Sequence, residues 1–221
     1  KSKTAPLAGR IMTNERITAA DWEQETRHIR LRVDVHNVSS QSSLPYHAGD
    51  VATILPWNNQ DEVNNFLSVI PESIRAIADN EIEIGVPVGD SSGSTSSWPR
   101  RCTLRGLLTY CADIHSLPER EDLRALSIYC RQEHEMGKDQ KERLLFLSET
   151  SGAALYADYI LREKRSWADL LYDFDSISWE GPSSSGEPIL TMEVLLALLP
   201  PIRPRHFSIA SAPSTQLVEN G

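Results

Sequence analysis

The sequence predicts an α+β fold in which an antiparallel β-barrel is interrupted by a helical subdomain. The first 57 residues carry the two-residue alternation of strands. Between residues 58 and 200 the apolar spacing becomes helical. A strand pattern returns at Arg205. Strands on both sides of one helical block are the order of a single barrel with an insertion. The boundaries read as 1–57 for the first barrel part, 58–200 for the helical subdomain and 201–221 for the returning strand.

Leu7 to Thr13 reads as the first strand. His28 to Val35 alternates strictly, with Ile29, Leu31, Val33 and Val35 on one face and His28, Arg30, Arg32 and Asp34 on the other. That pattern predicts a half-buried strand. Tyr46-His47-Ala48-Gly49-Asp50 is a turn ahead of the apolar strand Val51 to Leu55, which Pro56 ends. Val63, Phe66, Leu67 and Ile70 then share a helix face, with Asn58 as N-cap and Asp61 three residues on. Thr103 caps a helix carrying Leu104, Leu107, Leu108 and Cys111. Pro118 opens one carrying Leu123, Leu126 and Cys130.

Helical spacing recurs over 138–148 and 153–163. Ser166 and Asp169 form a capping pair for Trp167, Leu170, Leu171 and Phe174. Thr191 precedes Met192, Leu195, Leu196 and Leu199, and Pro200-Pro201 stops that helix. Gly89 to Ser97 and Gly181 to Pro188 read as surface loops.

Composition excludes several functions. A chain of 221 residues that is 40% hydrophobic can bury a real core. With 22 basic against 31 acidic residues and no basic cluster, nucleic acid is a poor partner. The net charge of −9 likewise disfavours anionic membranes. No apolar run approaches the roughly 18 residues of a membrane helix. The opening Lys-Ser-Lys-Thr-Ala-Pro-Leu lacks a signal-peptide pattern, so the chain reads as a cytoplasmic domain of a longer protein. Cys102, Cys111 and Cys130 lack metal spacing and read as free thiols. Cys111 with His115 makes only two ligands, and His134-Glu135 has no second histidine at metalloprotease spacing. No Gly-x-Ser-x-Gly elbow is present, which argues against a serine hydrolase.

The segment with chemistry is Pro204-Arg205-His206-Phe207-Ser208-Ile209-Ala210-Ser211. A planar guanidinium is a bidentate phosphate partner. Phe207, two residues on, shares the strand face of Arg205. A ring beside a phosphate-binding arginine suits a flat ring carried on a pyrophosphate, and Ser208 can hydrogen-bond that ring's edge.

These residues resemble the Arg-x-Tyr/Phe-Ser-x-x-Ser motif of the ferredoxin-NADP reductase-like flavoproteins. The longer string Ile202 to Ser211 is similar to the NADPH-dependent diflavin reductases, relatives of cytochrome P450 reductase. Tyr46-x-x-Gly49-Asp50, Thr103-Leu104-Arg105, Asp122 to Leu126, and Lys164 to Trp167 followed by Asp173-Phe174 match the same family in order. Val51 stands where P450 reductases usually carry histidine, which favours the diflavin reductase branch.

The resemblance implies an FAD-binding barrel with an inserted helical connecting domain. It implies that Arg205 holds the FAD pyrophosphate, Phe207 packs on the isoalloxazine and Ser208 lies near flavin N5, with His206 between them. It places Lys164 near the FAD, although lysine lacks arginine's planar fork. It places Arg27 near NADPH. It implies electron flow from NADPH to FAD to FMN, and on to an anamorsin-like iron–sulfur protein of cytosolic cluster assembly. The FMN and NADPH domains of such a parent, and its later barrel strands, are expected outside this chain.

An arginine–phosphate bond contributes about 1.5–3 kcal/mol and one ring stack about 0.5–1.5 kcal/mol, against an association cost of at least about 4 kcal/mol. The expectation is that these residues alone bind FAD weakly or not at all and give no turnover. A P450 or sulfite reductase region, and a helical interaction module without a cofactor, are the alternative readings.

Overall fold

The structure is a computed structural model that describes residues 7–33, 46–85, 99–179 and 188–211. The two predicted loops and Trp98 lie almost wholly outside the described residues, as do Asp34 and Val35. The chain divides into two compact units: Lys1–Ala52 with His206–Gly221, and Thr53–Arg205.

In the first unit, β1 (Gly9–Arg16) pairs antiparallel with β2 (Arg27–Val33). Gly9 faces Val33, Ile11 faces Leu31 and Asn14 faces Ile29, with an irregularity between Ile11 and Thr13. The predicted alternation is real, but the predicted burial is not: Ile29 is 43% and Leu31 38% exposed. A two-stranded ribbon fixes which residues share a face. Burying that face takes a second layer, and none covers it among the described residues.

The chain continues through β3 (Val51–Ile54) into the second unit, whose body is helical. It contains α1 (Gln60–Ser68), the short α2 (Glu72–Arg75), β4 (Glu81–Glu83) and β5 (Arg101–Thr103). Then come α3 (Leu104–Tyr110), α4 (Arg120–Ser127), α5 (Glu135–Ser148) and α6 (Ala153–Tyr156). A π-helical turn, Ala157–Arg162, extends α6. α7 (Trp167–Asp173) and α8 (Met192–Leu198) follow, and β6 (Arg205–Ser208) starts at the last residue of this unit and continues in the first. Among the described residues the strands make three two-stranded sheets, β1 with β2, β3 with β6 and β4 with β5. Among the described residues they do not close into a barrel, because each strand keeps a free edge.

The core of the second unit is built by the helical stripes: Phe66 and Leu67, Leu104 and Leu108, Leu123 and Leu126, Trp167 and Leu170, and Leu195 and Leu199 are all buried. Thr103, Ser166 with Asp169, and Thr191 cap their helices as the sequence predicts. α1 is capped one residue later than expected. Asn59 accepts from Glu62 N–H at 2.9 Å, and Glu62 closes the box. α4 begins at Arg120 rather than at Pro118, and Cys130 lies beyond its end in a bridge to Ile177. Gly152 follows α5 where a Cβ would overlap the Phe146 carbonyl.

Asn58, expected as the cap, has another task. It is 6% exposed, and its Nδ2 donates to Leu108 O at 2.6 Å and Ala112 O at 2.8 Å. Those carbonyls lie at and just past the open C-terminal end of α3, where Ala112 O also accepts from Ile114 N–H at 3.1 Å and Asn58 is the donor to Leu108 O. Asn58→Ala is therefore expected to cost about 2 kcal/mol, and Asn58→Asp, which cannot donate, at least as much. Urea unfolding should show a lower midpoint with an unchanged slope.

Candidate functional site

The entry to β6 is fixed by the C-terminal end of α3. Leu199 ends α8, and two prolines follow that cannot donate backbone hydrogen bonds. Their neighbours complete the pairing: Asp113 N–H donates to Pro200 O at 2.8 Å, and Ile202 N–H donates to Cys111 O at 2.7 Å. Ala112 and Pro201 form an antiparallel bridge between those bonds.

Arg205, His206, Phe207 and Ser208 follow, all exposed, with Phe207 at 48%. Arg205 makes no hydrogen bond or ion pair among the described residues. A fork, a ring two residues on and a hydroxyl, all without partners among the described residues, are the set that a pyrophosphate and a flat ring require. The residues present therefore fit the FAD that the motif implies.

In the first unit, Gly49 takes φ 91°, and Asp50 Oδ2 accepts from His47 N–H at 2.7 Å, closing the predicted turn. Asp50 O accepts from Ile209 N–H at 3.3 Å, and Tyr46 Oη bonds the Ser211 hydroxyl at 2.9 Å. The Tyr46–Asp50 turn thus holds the residues just after the motif.

The second unit contains a cleft of about 610 Å³. It is lined by the start of α1, by the 113–122 segment and by the segment after α8, which contributes Arg203 and Arg205. Trp57, 64% exposed, meets the Tyr110 ring edge-on at 6.1 Å. Glu62 Oε2 accepts from Asn59 N–H at 2.8 Å and lies 3.3 Å from His115 Nε2. Glu119 N–H donates to Asp122 Oδ2 at 2.7 Å. Burial raises the Asp122 carboxyl above its usual range despite that bond, and the charges of Glu119 and Glu121 add to the rise. Trp167 also borders the cleft. It is fully buried, and its Nε1 has no partner among the described residues.

Lys164 is exposed at the turn after α6, with φ 53°. Arg165 N–H reaches back to Ile160 O at 3.1 Å, which ends the π-turn with Lys164 in the left-handed position. A polar cluster braces this turn. Arg165 Nη1 and Tyr159 Oη each donate to Asp173 Oδ2 at 2.6 Å. The Arg165 guanidinium stacks 4.6 Å above the Tyr159 ring, and Phe174 meets that ring edge-on at 6.4 Å. Burial, then the bond to Asp173, pushes the Tyr159 phenol well above its ordinary value. Arg27 is engaged within its own hairpin, with Nε 2.6 Å from Glu25 Oε1 and Nη1 donating to Asn14 Oδ1 at 3.1 Å.

Residues 1–219 match the FAD binding domain family. The chain belongs to that family. Over most of its length it is also similar to proteins named NADPH-dependent diflavin oxidoreductase 1. The protein from Dictyostelium discoideum is 34% identical over 211 residues, covering 92% of this chain and 29% of that protein. The Eremothecium gossypii protein is 30% identical over 217 residues, 96% of this chain and 32% of that one. The Mus musculus protein is 30% identical over 214 residues, 96% and 31%. The chain thus spans about a third of the length of the relatives it matches. The diflavin reductase resemblance read from the sequence is borne out.

For an FAD binding domain, the motif residues stand together in one strand because they are contiguous in sequence. Arg203 and Trp57 line the cleft, and the sequence reading assigned neither of them to a site. Arg203 lies two residues before Arg205, so strand alternation was the signal available for it. Trp57 offered none, because its neighbours in the cleft are distant in sequence. The Arg165–Asp173 pair was visible as motif residues but not as a contact.

The raised Tyr159 phenol sets a pH dependence. A folded-state value above the unfolded one of about 10 contributes stability that is complete below pH 10 and is lost above it. Tyr159→Phe should lower stability near pH 8 by about 1 kcal/mol, after discounting for partial exposure. The gap between the two proteins should narrow above about pH 10, as read by urea unfolding across pH.

Proposed function

We propose that this chain is the FAD-binding and connecting region of an NADPH-dependent diflavin reductase. The observation that carries the proposal is the exposed strand Arg205-His206-Phe207-Ser208, with an unpaired guanidinium, in a chain of the FAD binding domain family. FAD, when bound, supplies hydride acceptance and electron donation. The chain's own residues bind and orient it. Arg205 holds the pyrophosphate by a bidentate fork. Phe207 covers one face of the ring and excludes water there, His206 flanks it, and the Ser208 hydroxyl bonds near N5. Lys164 adds a positive charge towards the FAD phosphates, and Arg27 lies towards NADPH.

Residues 1–57 and 201–221 are read as strands of an FAD-binding barrel completed by the parent chain, with 58–200 as its connecting subdomain. The parent passes electrons from NADPH through FAD and FMN to an acceptor. We take that acceptor to be an anamorsin-like iron–sulfur protein of cytoplasmic cluster assembly. The names of the relatives support the NADPH and diflavin parts of this reading. No described helix is long and apolar enough to cross a membrane.

Titration of the chain with FAD, followed by flavin fluorescence, tests the reading. Saturable binding is expected, weakened roughly tenfold to a hundredfold by Arg205→Ala. Arg205→Lys should recover only part of it, because the ammonium lacks the fork. FAD affinity indifferent to both substitutions would remove the assignment.

A further inference from the structure

We propose that the face of the β1–β2 hairpin carrying Arg10, Arg30 and Arg32 docks an acidic protein segment, extended and with carboxylates at alternate positions. The proposal is independent of the FAD reading, because none of these residues belongs to the motif strand.

No run of basic residues is visible in the sequence, but the register of the hairpin assembles one. Arg30, Arg32 and His28 share one face of β2. Directly opposite them on β1 stand Thr13, Arg10 and Glu15 respectively. The three arginines are exposed. Glu15, the one carboxylate of this face among the described residues, makes no ion pair with Arg10 or Arg30. Alternation in the sequence adds Asp34 to the face, and arginines still outnumber carboxylates there. In a chain with 31 acidic against 22 basic residues, that balance is inverted.

The other face of the hairpin shows how the fold treats opposed arginines that serve the hairpin itself. Arg16 stands directly opposite Arg27, and like charges across a ladder repel. There the hairpin supplies its own partners. Arg27 bonds Glu25 at 2.6 Å and Asn14 Oδ1 at 3.1 Å, and Arg16 Nη2 donates to Ala19 O at 2.8 Å and Trp22 O at 2.9 Å. Arg10 and Arg32 are opposed in the same way. Yet Arg10 makes no hydrogen bond or ion pair among the described residues, and neither does Arg30. The hairpin thus holds concentrated positive charge that lowers its stability, with two of three guanidiniums left open. A partner bearing carboxylates removes that repulsion on binding.

Geometry and charge select the occupant. A guanidinium fork takes a carboxylate bidentately. Arg30 and Arg32 lie two residues apart, roughly 6.4–6.8 Å along the strand, which is the spacing of alternate carboxylates on another extended chain. Arg10 faces Arg32 with Cβ atoms about 4.5–5.5 Å apart and widens the patch across the ladder. A patch of this size suits a short segment. Nucleic acid or an anionic membrane would spread its charge past the hairpin, against a chain whose net charge is −9.

Fluorescence anisotropy of this chain with a labelled peptide of Glu-Thr repeats tests the proposal. Saturable binding is expected at about 50 mM salt, weakened at least about threefold at about 200 mM. A matched peptide of Gln-Thr repeats should not bind. Arg10→Thr and Arg30→Thr should each weaken binding about tenfold, with the thermal midpoint unchanged or raised because a like charge leaves the ladder. Arg124→Gln, which removes an exposed charge from the second unit, should leave binding unchanged. Absence of saturable binding up to about 1 mM peptide would overturn the proposal. Equal affinity for the Gln-Thr peptide, or binding that both hairpin substitutions leave intact, would do the same. Tighter binding of an oligothymidylate or of phosphatidylserine vesicles through Arg10 and Arg30 would overturn the choice of occupant.

Discussion

The candidate chemistry depends on how the chain leaves α8. Two consecutive prolines cannot donate, so the segment after α8 can be held only through its carbonyls and the amide that follows. Both are used: Pro200 O accepts from Asp113, and Ile202 N–H donates to Cys111. The partner residues lie at the end of α3, where helix geometry leaves carbonyls free. Asn58 supplies further donors there from a third segment, to Leu108 O and to Ala112 O, which also accepts from Ile114 N–H. One helix end thus organises three stretches of chain. Arg203 and Arg205 emerge from a fixed base rather than from a loose linker.

The same division of labour runs through the second unit. Apolar stripes from six helices make the body, and the polar residues that matter sit where helices start, stop or widen. The Tyr159–Asp173–Arg165 cluster lies at such a place, beside the π-turn and the left-handed Lys164. Asp173 accepts two short bonds on one oxygen, and Tyr159 is sandwiched between Arg165 and the edge of Phe174. Strong local bonding of this kind can hold a backbone shape that a lysine adopts unwillingly.

Helix positions were legible because their determinants are local. Thr103, Thr191 and the Ser166–Asp169 pair capped as predicted, since a cap and its partner lie within four residues. The shift from Asn58 to Asn59 has a long-range cause. Both residues can cap, and the choice was made by contacts of Asn58 some fifty positions away. The alternation in β2 gave its register face correctly but said nothing of what would cover it. The π-turn left no trace in the apolar spacing. For the site, the contiguous motif was readable as a string. The cleft was not, because its walls come from the start of α1, the 113–122 segment and the stretch before β6.

The central claim is that β6 itself receives FAD, and backbone amide exchange with and without FAD tests it most directly. The account predicts that amides from Arg205 to Ile209 exchange more slowly when FAD is present, while those of Leu104 to Leu108 in α3 keep their rates. Saturable FAD binding that leaves the β6 amides unchanged, or slows exchange only elsewhere, would contradict it.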